Sequence, residues 1–382
     1  SIRRQRQMCI RDSWKPWLPL AAPMAAIVVT HLISAFSLFR PDALLVIKYT
    51  IRPVLLSYLL YVALTVNVIR SPRRLKSVLG VLVATGVFAA LMGFLSLWFA
   101  QDYSQILPRA RPLSIFGTHP IGENHNLLAE WLSVTIMTTI ALAVTVTSRR
   151  LKRMLVLAAG FQIVIALLTF ARSLWIVLAF DAVLLSLFVW REQVRRYASV
   201  VTIALFFLLP IAALMVLFSS SSLVESSTST RLMLTEISLN VWSQSPWIGA
   251  GAGTFVERIG STALFIIEYG APLDAHGWIQ KLLAEVGIFG ILAVGWIVWA
   301  AFAYTRDQLK TVYARVSNER TVILVLAISA AGALVYQLFN TNYWTGKLWF
   351  PLGLLLAATR ALRHPEKAVS YTHLRAHETK AN

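Results

Sequence analysis

Apolar residues along this chain gather into continuous runs separated by short polar segments, at about 18–38, 44–69 (broken by Pro53), 77–99, 127–147, 154–171, 173–190, 198–218, 283–304, 321–339 and 347–362. Each run approaches the roughly 17 to 25 residues that a helix needs to cross about 30 Å of hydrocarbon. The runs are continuously apolar and do not alternate, so helices and not a barrel are predicted. A single long polar stretch interrupts the pattern, from Ser219 to about Leu283. The expected architecture is an all-α polytopic membrane protein of about ten spans. It divides into a membrane region over 14–218 (about seven spans), a large external loop over 219–282, and a second membrane region over 283–368 (about three spans).

Composition agrees with this class: 57% hydrophobic residues, 14% charged and a mean hydropathy of +0.67 exclude an ordinary soluble domain. The basic clusters Arg70 to Lys76, Arg149 to Arg153, Arg191 to Arg196, Arg306 to Arg320 and Arg360 to Lys367 fall in alternate loops. The positive-inside rule puts those loops in the cytoplasm and places 100–126, the tight 170–173 apex, 219–282 and 340–346 outside. The formal charge of +18 then reflects topology and contact with anionic lipid, and no nucleic-acid partner is needed to account for it. Trp14, Trp17, Trp98, Trp190, Trp278, Trp344 and Trp349 stand near expected span ends, as interfacial belts do.

The two ends read differently from the rest. Met8 to Ser13 can be encoded by a string whose reverse complement, in one frame, gives Val369 to His373, with Leu374 fitting the next codon. That inverted pair resembles a transposon-based sequencing adapter, so residues 1–13 and 369–382 are expected to be foreign and are set aside from the fold. They carry net charges of +3 and +1, so +14 of the +18 remains, and the single Cys9 goes with them. No disulfide, cysteine nucleophile or thiolate metal site is then expected.

The candidate chemistry lies on the outer side. Arg172 stands at an apex where two spans meet, either snorkelling to the interface or binding an anion. Arg231 opens a segment running to Trp242 with apolar residues at 232, 234, 237, 239, 241 and 242, preceded by Ser229 and Thr230 as candidate caps. It either anchors that helix to lipid phosphates or serves a site. His276 follows Pro272-Leu-Asp-Ala at the mouth of a span, where an imidazole is ordinary surface or a general base. Asp274 is too near in sequence to be assumed to orient the ring. Gly249, Gly251 and Gly253 superficially suggest a nucleotide loop but lack a preceding strand, a Walker lysine and a βαβ context, and read better as a tight turn. His119, Glu123 and His125 can be drawn as a metal site, but their spacing is loose. No metal or other cofactor is expected, and no paired-carboxylate or Ser-His-Asp pattern is apparent.

The order of these pieces resembles the O-antigen ligase and polymerase family. They are Ser229-Thr-Arg231, Ser245 to Phe255 with its glycine turn, Asp274-Ala-His276, and Leu282-Leu-Ala-Glu-Val-Gly-Ile-Phe-Gly290. Phe170-Ala-Arg-Ser173 is similar to the family's apex with Arg and Ser in the opposite order. Arg111 to Gly117 and Asn126 to Ala129 resemble its earlier external loop. The resemblance spans about 45 to 350. Family members have about twelve spans, which would agree with a chain missing two at its start.

The resemblance implies a metal-independent glycosyltransferase of the bacterial inner membrane with its active site facing the periplasm. The donor would be a glycan on undecaprenyl pyrophosphate. His276 would be the general base and Arg172 and Arg231 would bind the pyrophosphate, with Arg111, Asn126, Gly251, Gly253 and Glu285 in support. The acceptor would be lipid A-core, a second lipid-linked glycan or a protein hydroxyl, and the sequence does not choose among them. A transporter or flippase for polyprenyl-linked solutes is the reading from another class, although no inverted repeat is evident. Sequencing the intact source gene across both junctions tests the foreign ends. The expected result is a break near Ser13 and near Val369, and continuous native coding through either would remove the expectation.

Overall fold

The computed structural model describes residues 16–36, 48, 52–99, 108–196, 222–260, 266–267, 273–312, 318–340 and 345–363. The span expected at 198–218, part of the one at 44–69, and the two expected foreign ends lie outside them. The described residues form helices and one isolated antiparallel bridge, Ile115 with Thr118, so the fold is an all-α membrane fold. In chain order these are α1 (Ala21–Phe36), α2 (π-wound over Pro53–Leu64, then α-helical over Thr65–Val68), α3 (Pro72–Phe99), α4 (His125–Thr145), α5 (Arg149–Leu168) and α6 (Arg172–Phe188). There follow α7 (Arg191–Arg196), α8 (Ser222–Gln244), α9 (Phe255–Gly260), α10 (Trp278–Val312), α11 (Asn318–Gln337) and α12 (Gly346–Arg363). Among them α3, α4, α5, α10 and α11 are long and apolar enough to span a bilayer, and α1 and most of α2 (Leu55–Val68) are shorter apolar helices.

Local sequence sets several of these boundaries. Asn124 caps α4 by accepting from the Asn126 N–H at 2.8 Å, and Ser148 caps α5 by accepting from Leu151 at 3.5 Å. Proline begins the wound part of α2 and begins α3, where its missing N–H costs nothing. Phe170, at φ 52°, turns the chain sharply between α5 and α6, and the Thr169 hydroxyl accepts from Ala171 at 3.3 Å to hold that turn.

The centre of the bundle is α4, which packs between α3, α5 and α11. Small residues permit the approach. A Cβ on Gly86 of α3 would lie 2.5 Å from Thr135 Cβ and 2.8 Å from Gln162 Oε1, so α3, α4 and α5 meet there almost backbone to side chain. Gln162 donates to the Thr139 hydroxyl at 3.0 Å, which keeps two buried polar groups paired within an apolar layer. The lipid-facing side of α5 instead shows Met154, Val156, Leu157, Val164 and Leu167. Trp349, expected in an interfacial belt, is buried in the core on α12, because that helix packs on both α2 and α11 and leaves no outward side at 349.

The polar stretch after 219 folds against α10 through an exchange of backbone hydrogen bonds. α10 breaks at Gly287, whose φ of 72° and ψ of −163° no helix contains. In an unbroken helix the Ile288 and Phe289 N–H groups would donate to the carbonyls of Ala284 and Glu285. Here Ala284 O accepts from Ala250 N at 2.8 Å and Glu285 O from Gly251 N at 3.0 Å. In return Ile288 N donates to Pro246 O at 3.0 Å and Phe289 N to Trp247 O at 3.2 Å. All four groups freed by the break are met by the segment 246–251. The glycines are required by this contact: Gly249, at φ 69°, would place a Cβ 2.3 Å from Glu285 C, and a Cβ on Gly287 would lie 2.5 Å from the backbone of Trp247.

The segment α8 differs from expectation. The helix begins at Ser222, so Arg231 sits within it and Ser229 and Thr230 are helical residues, not caps. Hydroxyls in this serine- and threonine-rich helix bond back to the preceding turn, as Thr235 does to Arg231 O at 2.8 Å and Ser238 to Leu234 O at 2.7 Å. Extension then adds one backbone bond per residue and carries the helix past Arg231 toward its start. Leu234 and Val241 are buried with Ala250, Phe255 and Ala275 in a small cluster, whereas Leu232 and Leu239 remain exposed.

Gly249→Ala and Gly287→Ala are therefore expected to lower stability by more than about 2 kcal/mol each, through the left-handed backbone and the backbone overlap combined. Gly80→Ala, where a Cβ meets nothing within 4 Å in the middle of α3, is the matched control and should be neutral or stabilising. Thermal unfolding in detergent decides the matter, and a Gly249→Ala protein melting with the wild type would remove the close approach.

Candidate functional site

Three chain segments bring cations and one imidazole together at the end of the bundle where α6 begins. Arg172 is the first residue of α6 and is exposed, lifted clear of the bundle by the Phe170 turn beneath it. Arg231, half-buried on α8, is close enough to Arg172 for the two like charges to act on each other. His276, in the turn before α10, is in turn acted on by Arg231. The order Arg172, Arg231, His276 along the site thus joins residues far apart in sequence.

The electrostatics follow from burial and like charge. Arg231 is held below the ordinary arginine range first by burial and then by Arg172, with Tyr336 acting in the opposite sense. It remains a cation, because arginine does not lose its proton in proteins. Its buried Nε has no hydrogen-bond partner among the described residues, a costly position in a place of low dielectric. His276 is pushed below the usual histidine value by burial first and by Arg231 second, and Asp274 opposes this. Its neutral form is therefore favoured near neutral pH.

The loop carrying His276 is anchored on both sides. Asp274 Oδ2 is 2.6 Å from Lys281 Nζ in the first turn of α10, and Asp274 Oδ1 accepts from the Ala275 N–H at 2.9 Å. Both carboxylate oxygens of Asp274 are thereby engaged with partners other than the imidazole, so Asp274 acts on His276 through its charge. Ala275 is buried against the cluster that holds α8 and the glycine turn, which fixes the height of His276 above the membrane part of α10.

The remaining expected residues fall into place in different ways. Gly251 and Gly253 lie in the turn, both at positive φ, and Gly251 donates to Glu285. Glu285 is buried, and its Oε1 accepts from Phe255 N at 3.3 Å, so it joins the first turn of α9 to α10. These three build the platform on which the loop rests. Asn126 contributes its backbone carbonyl, which accepts from the Tyr336 hydroxyl at 2.7 Å. Arg111 is placed beside the end of α3, its N–H donating to Ser96 Oγ at 2.9 Å. His119 and Glu123 form an exposed pair at 3.7 Å, and among the described residues no cluster with metal-ligand character occurs.

Sequence reasoning missed the residues behind the arginines. Tyr336, buried near the end of α11, faces Arg231 electrostatically, reaches the Ser173 side chain next to Arg172, and bonds Asn126. Next to it Glu130 is buried on α4 and satisfied by Gln337 Nε2 at 2.5 Å, Asn340 Nδ2 at 3.3 Å and Lys347 Nζ at 3.1 Å. Lys347 also donates to Leu127 O at 3.1 Å. The available signal was an acid inside an apolar run and a lysine at the edge of another, since ionisable groups in spans are costly and retained for a reason.

Carbon-13 NMR of labelled histidine should find His276 titrating below the ordinary histidine range. Arg231→Gln should raise that midpoint by removing a like charge, and Asp274→Asn should lower it further. Movement in the opposite directions would mean that these charges do not meet at the imidazole.

The sequence over residues 155–295 matches the model of a family described as O-antigen ligase. The matched stretch contains Arg172, Arg231, the glycine turn, His276 and Glu285, whereas Arg111, Asn126, Glu130 and Tyr336 lie outside it. No curated protein matches the chain. A solved chain from work titled "Structural coordination of polymerization and crosslinking by a peptidoglycan synthase complex" is similar over 91% of this chain and 98% of its own, at 15% identity and a TM-score of 0.49. That likeness is too low to support an argument about fold or function. By its family match and its apolar helices, this is a multi-pass membrane chain whose residues 155–295 match the O-antigen ligase family.

Proposed function

We propose that the protein transfers a glycan from undecaprenyl pyrophosphate to an acceptor hydroxyl at the outer face of the bacterial inner membrane, as an O-antigen ligase or a surface-polysaccharide polymerase. The observation that carries this reading is the convergence of Arg172, Arg231 and a histidine biased to its neutral form, within the stretch that matches the family.

The chemistry assigns each a part. His276 takes the proton of the acceptor hydroxyl as its oxygen attacks the anomeric carbon. The bond from that carbon to the pyrophosphate oxygen breaks, and negative charge grows on the leaving diphosphate. Arg172 and Arg231 bind and neutralise it, since guanidinium forks match phosphate oxygens and act strongly where water is scarce. Forming an imidazolium beside Arg231 is unfavourable in the resting site. It becomes favourable as the diphosphate gains charge, so proton uptake and bond breakage are driven together. Displacement in one step requires a base and leaving-group stabilisation, and no second carboxylate enters it.

The test uses the purified full-length protein in proteoliposomes with a lipid-linked oligosaccharide, with and without lipid A-core, read on a glycan gel. A ladder without added acceptor identifies a polymerase, and one shifted band that needs lipid A-core identifies a ligase. No transfer from an intact protein with either would overturn the proposal in favour of a protein acceptor or transport. His276→Ala should abolish transfer while leaving insertion intact. Arg231→Lys should lower kcat/KM by on the order of a hundredfold, because the fork is lost though the charge stays. For wild type the acid limb of kcat/KM should lie below pH 6.5, as a base with a lowered pKa stays deprotonated further into acid.

A further inference from the structure

At the opposite end of the bundle from Arg172, the helices α6, α10 and α11 enclose a groove of about 710 Å³. Its volume lies in the range of about 300–1,000 Å³ typical of ligand sites. Leu184 and Phe188 of α6, Trp299 and Phe302 of α10, and Leu324 and Ala331 of α11 form its apolar walls. Trp299 is 67% exposed and Phe188 62%, so these are large apolar surfaces left open along the side of the bundle. At one end the walls become cationic: Arg306 and Lys310 come from the last turns of α10 and Arg320 from the first turn of α11.

No carboxylate is among the lining residues. Asp307 pairs with Arg306 at 3.2 Å and Glu319 stands beside Arg320 in the first turn of α11, so the three lining cations still outnumber the two acids beside them among the described residues. An apolar trough capped at one end by cations from two helices has the polarity of one amphiphile, with hydrocarbon along the trough and an anionic head at the cationic end.

We propose that this groove is a binding site for one anionic glycerophospholipid of the leaflet that faces the 306–320 connection. Its phosphate is met by Arg306, Lys310 and Arg320, and an acyl chain lies against Trp299, Phe302 and Leu324. The site is separate from the arginine and histidine cluster and does not depend on the reaction assigned to that cluster. A second basic surface supplies the control: Arg149, Lys152 and Arg153 border an open patch on the single helix α5, with Val156 and Leu157 below. That patch has the same number of cations but no opposing walls.

The test is native mass spectrometry of the full chain released from mixed phosphatidylglycerol and phosphatidylcholine nanodiscs, with thermal unfolding in parallel. Wild type should retain one phosphatidylglycerol through delipidation and be stabilised by it, with no such effect from phosphatidylcholine. Arg306→Gln/Lys310→Gln/Arg320→Gln should weaken retention by on the order of a hundredfold, at about fivefold per cation. Arg149→Gln/Lys152→Gln/Arg153→Gln should leave it unchanged. Ala331→Trp, which fills the trough and keeps every charge, should also expel the lipid. Equal retention of the two lipids by wild type, which needs no variant to fold, would overturn the proposal. So would equal loss from both charge triples, or a disulfide between cysteines placed at Trp299 and at Leu205 that shows the chain itself filling the groove.

Discussion

The arrangement of the face that carries Arg231 and His276 depends on one exchange of backbone hydrogen bonds, between the break in α10 at Gly287 and the turn 246–251. The break in α10 diverts the Ile288 and Phe289 N–H groups and the Ala284 and Glu285 carbonyls from their intrahelical partners, and each left unpaired away from water costs several kcal/mol. The turn meets all four, as the carbonyls of Pro246 and Trp247 accept while the N–H groups of Ala250 and Gly251 donate. Neither partner is stable as drawn without the other. The turn has Gly249 and Gly251 at positive φ, and the helix alone would heal its break.

That contact fixes where everything else stands. It holds the glycine turn to α10, Glu285 then ties α9 to the same place, and the cluster of Leu234, Val241, Ala250, Phe255 and Ala275 brings α8 down on top. Arg231 and His276 belong to two elements joined by this cluster. Arg172 reaches them from α6, whose start is held from the other side by Tyr336 through Ser173 and Asn126. The site is thus assembled from two bodies of the structure, each rigid for its own reason: a backbone exchange on one side, and on the other a buried ion pair in which Glu130 also accepts from Gln337 and Asn340.

Two guanidiniums and an imidazole that disfavour each other's charge are a high-energy arrangement in the resting protein. The electrostatics make sense when a multiply charged anion is to be bound, since a half-buried cation such as Arg231 is then worth more. The same logic applies in weaker form to the groove at the other end, where exposed cations and open apolar walls match an anionic lipid. In the proposed roles, the half-buried Arg231 beside Arg172 suits recognition of a reacting group, and the groove cations suit retention of an amphiphile.

Much of the scaffold was legible in the residues alone, because hydrophobic runs of membrane length have one structural solution and Asn124, Ser148 and the prolines mark where helices start. The helices found at nine of the ten expected runs follow from that constraint, and 198–218 lies outside the described residues. The order of motifs also singled out Arg172, Arg231 and His276. What sequence could not show was anything set by contact between distant elements. The start of α8 at Ser222 was misread because serines and threonines mark caps locally, while back-bonding hydroxyls let the helix run on. Glu285 read as a family motif residue, and its role as the link between α9 and α10 exists only once Gly287 breaks the helix. Tyr336 and Glu130 were invisible because a tyrosine at a span end and an acid in a span have no partner until α4, α11 and Lys347 are folded together. The sequence by itself determined which segments form apolar helices, since that depends on local composition and length. The tertiary structure decided which polar groups face one another, since that depends on backbone breaks and side-chain partners supplied from elsewhere in the chain.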